Sequence, residues 1–136
     1  MADTVRTKSE LVALLLDNTS RDISAQDVRD FLVSTMASRT VTEVDTKVWA
    51  ISDDHDILHV TRTSADPVLM HVYTAQITQV GKIITIKDAG YNAGTNNITI
   101  RTQGTEKINN STDDYVINAD GNSVSLYSDG TDLFIY

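Results

Sequence analysis

The spacing of apolar residues changes at about residue 40. Before it, the period is helical. Leu11-Val12-Ala13-Leu14-Leu15-Leu16 is apolar nearly all round a helix and implies burial on more than one side. Val28, Phe31, Leu32 and Met36 fall on one helical face, with Asp27, Arg29 and Asp30 on the other sides. Both helices carry start signals. Thr7-Lys8-Ser9-Glu10 has the capping-box pattern, and Ser24 stands as an N-cap before Asp27 in the first turn. Ile23 and Val28 match a hydrophobic staple across that start. A turn over residues 17–23 joins the two helices into a hairpin.

From residue 41 the period is two. The pattern predicts strands over residues 41–44, 47–51, 55–63, 68–80, 82–87, 97–102, 106–108, 115–118, 123–127 and 132–136. All six glycines lie between Gly81 and Gly130, and three strand units close on glycine-ending turns at Gly90, Gly104 and Gly130. Asp120-Gly121-Asn122 reads as a hairpin turn. The chain ends on Phe134-Ile135-Tyr136, too apolar to fray in water, so a paired or buried end is expected. The expected architecture is therefore mainly β. A short N-terminal helical hairpin (residues 1–40) precedes an antiparallel β roll, sandwich or prism (residues 41–136). Several strands are partly apolar on both sides. Threefold association would cover what one chain leaves open.

Charge narrows the partners. The net charge is −8. Residues 1–40 hold six acids and five bases, and residues 41–136 hold thirteen acids and six bases, so the β half carries the acidity. Such a field repels nucleic acid. No run is long enough to span a membrane, and the start of the chain has no apolar signal region. With no cysteine, disulfides and thiolate metal sites are excluded.

Little in the chain suggests chemistry. The turn at residues 17–23 fails as a calcium loop, because Arg21, Asp22 and Val28 fall where a ligand, a glycine and a glutamate belong. His55 and His59, four apart on a strand, would lie about 13 Å apart, too far to share a metal ion within one chain. Asp53, Asp54 and Asp56 form the densest acid cluster, and Asp113-Asp114 a second. Adjacent turn residues usually point apart, whereas a glycan depolymerase needs two carboxylates facing one cleft. No catalytic, cofactor or metal residues are expected. Tyr91 and Asn92, in a glycine-bearing loop, are the candidate glycan contacts.

Gly81-Lys82-Ile83-Ile84-Thr85-Ile86-Lys87-Asp88 with Asn96-Asn97-Ile98-Thr99-Ile100 resembles a recurrent "G-x-I-I-T-I-K-D … N-x-I-T-I" signature. Gly104-Thr105-Glu106-Lys107-Ile108-Asn109 resembles its "G-x-E-x-I-x-G" segment, with Asn110 where glycine is common. Ser123 through Gly130 and Phe134-Ile135 resemble its ending, with Asp132-Leu133 in place of Asn-Trp. Residues 9–30 are similar to a segment that often precedes such modules. The family is that of tailed-phage virion proteins: tail-fibre modules, head fibres and capsid decoration (cement) proteins. The resemblance implies a homotrimer without a catalytic site, made in the bacterial cytoplasm and located in the virion. With no shaft or coiled-coil spacer, decoration or a head fibre is the expectation ahead of a receptor-binding tail tip that grips a host glycan. Docking on the major capsid protein or another virion protein would use Leu11, Leu14, Leu15, Val28, Phe31 and Leu32.

Overall fold

The computed structural model describes residues 10, 24–36 and 39–136. The chain divides into two compact units, Met1–Arg39 and Thr40–Tyr136. In the first, α1 spans Ala25–Met36. Its start is a reciprocal cap. The Asp27 backbone N–H donates to Ser24 Oγ at 3.1 Å, and the Ser24 backbone N–H donates to Asp27 Oδ2 at 2.9 Å. Two groups that a helix start leaves open are thereby satisfied. Asp30 departs from the expected polar face: it is buried, and its carboxylate accepts the Gln26 amide at 2.7 Å. Apart from Glu10, which is helical, the first helix of the expected hairpin, its capping box, the joining turn and Ile23 of the staple lie outside the described residues.

The second unit is mainly β, built from two mixed sheets, neither of them closed. One has five strands in the order β1 (Val41–Val44), β3 (Ile57–Val60), β5 (Ile83–Asp88), β8 (Ser123–Ser128) and β9 (Leu133–Ile135). The other has four, in the order β2 (Val48–Ala50), β4 (Val68–Val72), β6 (Ile98–Thr102) and β7 (Tyr115–Ile117). From β1 to β6 successive strands alternate between the sheets, and each pairs in parallel with the strand two before it. The chain thus winds as a coil of three turns, each giving one strand to each sheet. The expectation of an antiparallel roll, sandwich or prism is corrected here. Among the described strands, antiparallel pairing is confined to β5–β8, β6–β7 and β8–β9. Period-two alternation is the same in parallel and antiparallel strands, so the pattern does not separate them.

Other expectations change too. Residues 68–80 are not one strand: β4 ends at Val72, and a single helical turn, α2 (Thr74–Ile77), follows. The turn takes the chain from one sheet to the other while burying Ile77, and Gln76 Oε1 accepts the Tyr73 backbone N–H at 3.2 Å. Asp120-Gly121-Asn122 is a turn but not a hairpin, because β7 and β8 belong to different sheets. His55 also precedes β3 instead of lying in it beside His59.

Alternate residues point inward. Leu58, Val60, Ile84, Ile86, Val124 and Leu126 from one sheet meet Val68, Met70, Val72, Ile98, Ile100 and Ile117 from the other. Trp49 and Tyr115 pack against this core from β2 and β7, the edge strands of the four-stranded sheet. The C-terminus is paired as expected: β9 lies on β8, Leu133 is buried, and Tyr136 stays largely exposed. Asn110, where the resembled pattern prefers glycine, has φ 67°, and Asn109 before it has φ 52°. Asparagine tolerates this left-handed region better than most residues.

Candidate functional site

The outward side of the five-stranded sheet is the first candidate. Tyr127 on β8 faces Phe134 on β9, with ring centroids 5.5 Å apart and nearly stacked. Tyr136 meets the same Tyr127 ring edge-on at 6.0 Å. Ile83 pairs with Tyr127, and Ile57 with Val41, on the same side of the sheet. Val41 and Tyr136 are exposed by 54% and 66%, so this is an aromatic and aliphatic surface in contact with solvent. Its strand residues include one acid, Glu43, in register with His59 and, beyond it, Lys87.

The second candidate is the corner that carries Tyr91 and Asn92. Asp88, at the end of β5, is 1% exposed. Its Oδ2 accepts the backbone N–H groups of Asn92, Ala93 and Gly121, each at 3.0 Å. Asp120 adds a bond at 2.7 Å from the Gly94 N–H. Two loops distant in sequence are thus tied together by two carboxylates. Tyr91 is exposed on this corner at φ 52°, with the Lys87 ammonium 5.9 Å from its ring centre. Asn92 does not share that exposure: its amide nitrogen is buried without a partner. The corner therefore offers the Tyr91 ring to a ligand but not the Asn92 amide beside it. Sequence inspection missed Asp88. The available signal was an aspartate closing a strand before a glycine- and asparagine-rich loop, where side-chain acceptors for backbone N–H groups concentrate.

Gly121 sits at φ 70° under Tyr91, and a Cβ there would lie 2.7 Å from the ring. Gly121→Ala is expected to cost about 1–3 kcal/mol. Adding Tyr91→Ala should recover the part due to the ring and leave the backbone part. Chemical denaturation of both variants measures the two contributions, and no recovery would place the whole cost in the backbone.

Three members of the acid clusters, Asp53, Asp56 and Asp114, are tied into the fold. Asp53 Oδ1 accepts the Gln76 amide at 2.9 Å, and Asp56 Oδ2 accepts the Thr40 N–H at 3.1 Å. Lys82 bridges the same turn, donating to the Asp53 carbonyl at 2.6 Å and lying 3.4 Å from Asp56. Arg101 grips Asp114 with both arms of its fork, Nε at 2.9 Å from Oδ1 and Nη2 at 2.6 Å from Oδ2. That bond holds the Asp114 carboxyl below the usual carboxylate range. Next to it, a depression of about 240 Å³ is lined by Ile108, Asn109, Ser111, Asp113, Asp114, Tyr115 and Ile135.

His55 lies in the turn before β3 with its ring against Trp49, centroids 5.7 Å apart, and its Nδ1 accepts the Ser52 N–H at 3.0 Å. Burial pushes its pKa down, opposed by Asp54, reinforced by Lys82 and opposed by Asp56. A lowered histidine pKa means that the unfolded chain takes up the proton first as pH falls. Stability is then lost as pH drops through about 6.5. Unfolding midpoints at pH 7.5 and 5.5 should show this loss, and His55→Gln should flatten it. An unchanged slope in the variant would assign the dependence elsewhere.

Of the expected docking residues, Val28, Phe31 and Leu32 lie on α1 and are exposed by 48%, 41% and 51%. Leu11, Leu14 and Leu15 lie outside the described residues. Among the described residues no group of histidines and acids is placed to hold a metal ion. No described helix is long and apolar enough to cross a membrane. No protein-family model and no curated protein sequence matches the chain.

Proposed function

We propose that this chain is a non-enzymatic structural protein of a tailed-phage virion, a capsid decoration (cement) or head-fibre protein. It is made in the bacterial cytoplasm and assembles as a homotrimer. The N-terminal segment docks on the major capsid protein or another virion protein, and the β unit projects. The observation that carries this is the outward aromatic face of Tyr127, Phe134 and Tyr136. On a chain of net charge −8, copies repel unless they meet through a face poor in acids, and the strand residues of this face hold only Glu43. Three copies gathered by this face would bury its rings and exclude water from them. Docking by three N-terminal segments at once then gains from avidity. The apolar side chains of Val28, Phe31 and Leu32 supply such a docking surface, and the bonded state of Asp53, Asp56 and Asp114 supports a structural use of the acids in place of glycan hydrolysis.

Light scattering on the purified chain is expected to give three times the 14.9 kDa chain mass, and Tyr127→Asp a folded monomer. A monomeric wild type at micromolar concentration overturns the trimer. Labelling on purified particles tests the place: label spread over the head is expected. The exposed Tyr91 ring favours one second possibility, a receptor-binding tip that holds a host glycan. Label at the tail tip, with loss of cell binding in Tyr91→Ala, would replace the first assignment by this one.

A further inference from the structure

The depression beside Asp114 lies where the two sheets end. Tyr115 opens β7, the last strand of the four-stranded sheet, and Ile135 closes β9, the last strand of the five-stranded sheet. Ile108, 5% exposed, and the half-buried Tyr115 and Ile135 give it an apolar lining. Two carboxylates complete it, in different states. Asp114 has its countercharge in Arg101. Asp113 is exposed, accepts the Ser111 hydroxyl at 3.1 Å, and has no ion-pair partner among the described residues. The local charge is therefore one negative in excess, beside an apolar wall and an aromatic ring, on a unit that is itself acidic.

A guest that satisfies both parts has an apolar stem and a single positive charge. A depression of about 240 Å³ has room for one side chain. An anionic sugar would meet Asp113 with like charge. Among the described residues no further strand pairs with the edge of β7 away from β6, so an extended segment can run alongside it with a side chain turned into the depression. We propose that this depression is a docking site for a lysine side chain on an extended segment of a partner protein. Four methylenes lie on Ile108, Tyr115 and Ile135, and the ammonium pairs with Asp113 next to the Tyr115 ring. The site is separate from the aromatic face and does not depend on threefold association.

The test titrates the full 15N-labelled chain with Nα-acetyl-lysine methylamide and follows backbone amide shifts. Saturable shifts at Asn109, Ser111, Asp113 and Tyr115 are expected, with a dissociation constant in the range of about 1–20 mM. Asp113→Asn should weaken binding about threefold or more, the scale of one exposed ion pair. The norleucine analogue, which keeps the stem and lacks the ammonium, should bind about threefold or more weakly. Equal binding by norleucine, an unchanged Asp113→Asn variant, or no saturation overturns the proposal. Preferential binding of glucosamine at the same amides also overturns it, in favour of an amino-sugar ligand. A monomeric chain that binds the lysine probe would sink the trimer and leave this site standing.

Discussion

Asp88→Ala is expected to lower the unfolding free energy by about 3–4 kcal/mol, because each backbone N–H left unsatisfied in a buried place costs about 1–3 kcal/mol. Three backbone N–H groups, those of the buried Ala93 and of the half-buried Asn92 and Gly121, converge on one oxygen of a carboxylate that is itself 1% exposed. In a chain of this size that loss corresponds to roughly 10–15 °C in the thermal midpoint. Asp88→Asn keeps one oxygen acceptor of the same shape and should lose about half as much. The control is Asp120→Ala, which removes a single bond at an exposed position of the same corner and should cost under about 1 kcal/mol. Urea midpoints of the three variants decide the matter. If Asp88→Ala falls no further than Asp120→Ala, the buried carboxylate does not organise the corner.

The second large effect is expected at Leu126. It has no exposed surface, lies in β8 opposite Ile84 of β5, and is flanked on the other side by Ile135 of β9. Truncation to alanine removes apolar contact and leaves a cavity between two sheets that cannot close on it without breaking register. A loss of about 3–4 kcal/mol follows from the usual range for such changes. Leu126→Met, which keeps the volume, should stay within about 1.5 kcal/mol of the wild type. The comparison separates packing from strand propensity. A similar loss in both variants would mean that the position senses shape at β8 and not the cavity.

Most strands were legible because their signals are local, although 106–108 forms no strand and 68–80 is a strand only as far as Val72. The run Ser123-Val124-Ser125-Leu126 alternates cleanly, and Gly90 and Gly130 follow β5 and β8 closely. Partner choice was not legible. Val41 pairs with Ile57, sixteen residues on, whereas Ile57 pairs with Thr85, twenty-eight residues on. The difference arises from the path through β4 and α2, which no fixed repeat length announces. The turn at Gly121 was visible as a turn, but the identity of the strands it joins is a property of the sheets. The same holds for the candidate sites. Asp113-Asp114 stands out as an acid pair, yet the apolar wall beside it needs Ile108 and Ile135, which only the meeting of the two sheet ends brings together. The buried Asp88 is likewise defined by loops more than twenty residues apart.

Both sheets list their strands in the order in which the chain presents them, β1-β3-β5-β8-β9 and β2-β4-β6-β7. No strand has to enter between two that are already paired. During synthesis, which proceeds from the N-terminus, each emerging segment can add to the growing margin of a sheet as soon as it clears the ribosome. The unit can therefore assemble by accretion, with β8 and β9 closing the last margin of one sheet and β7 that of the other.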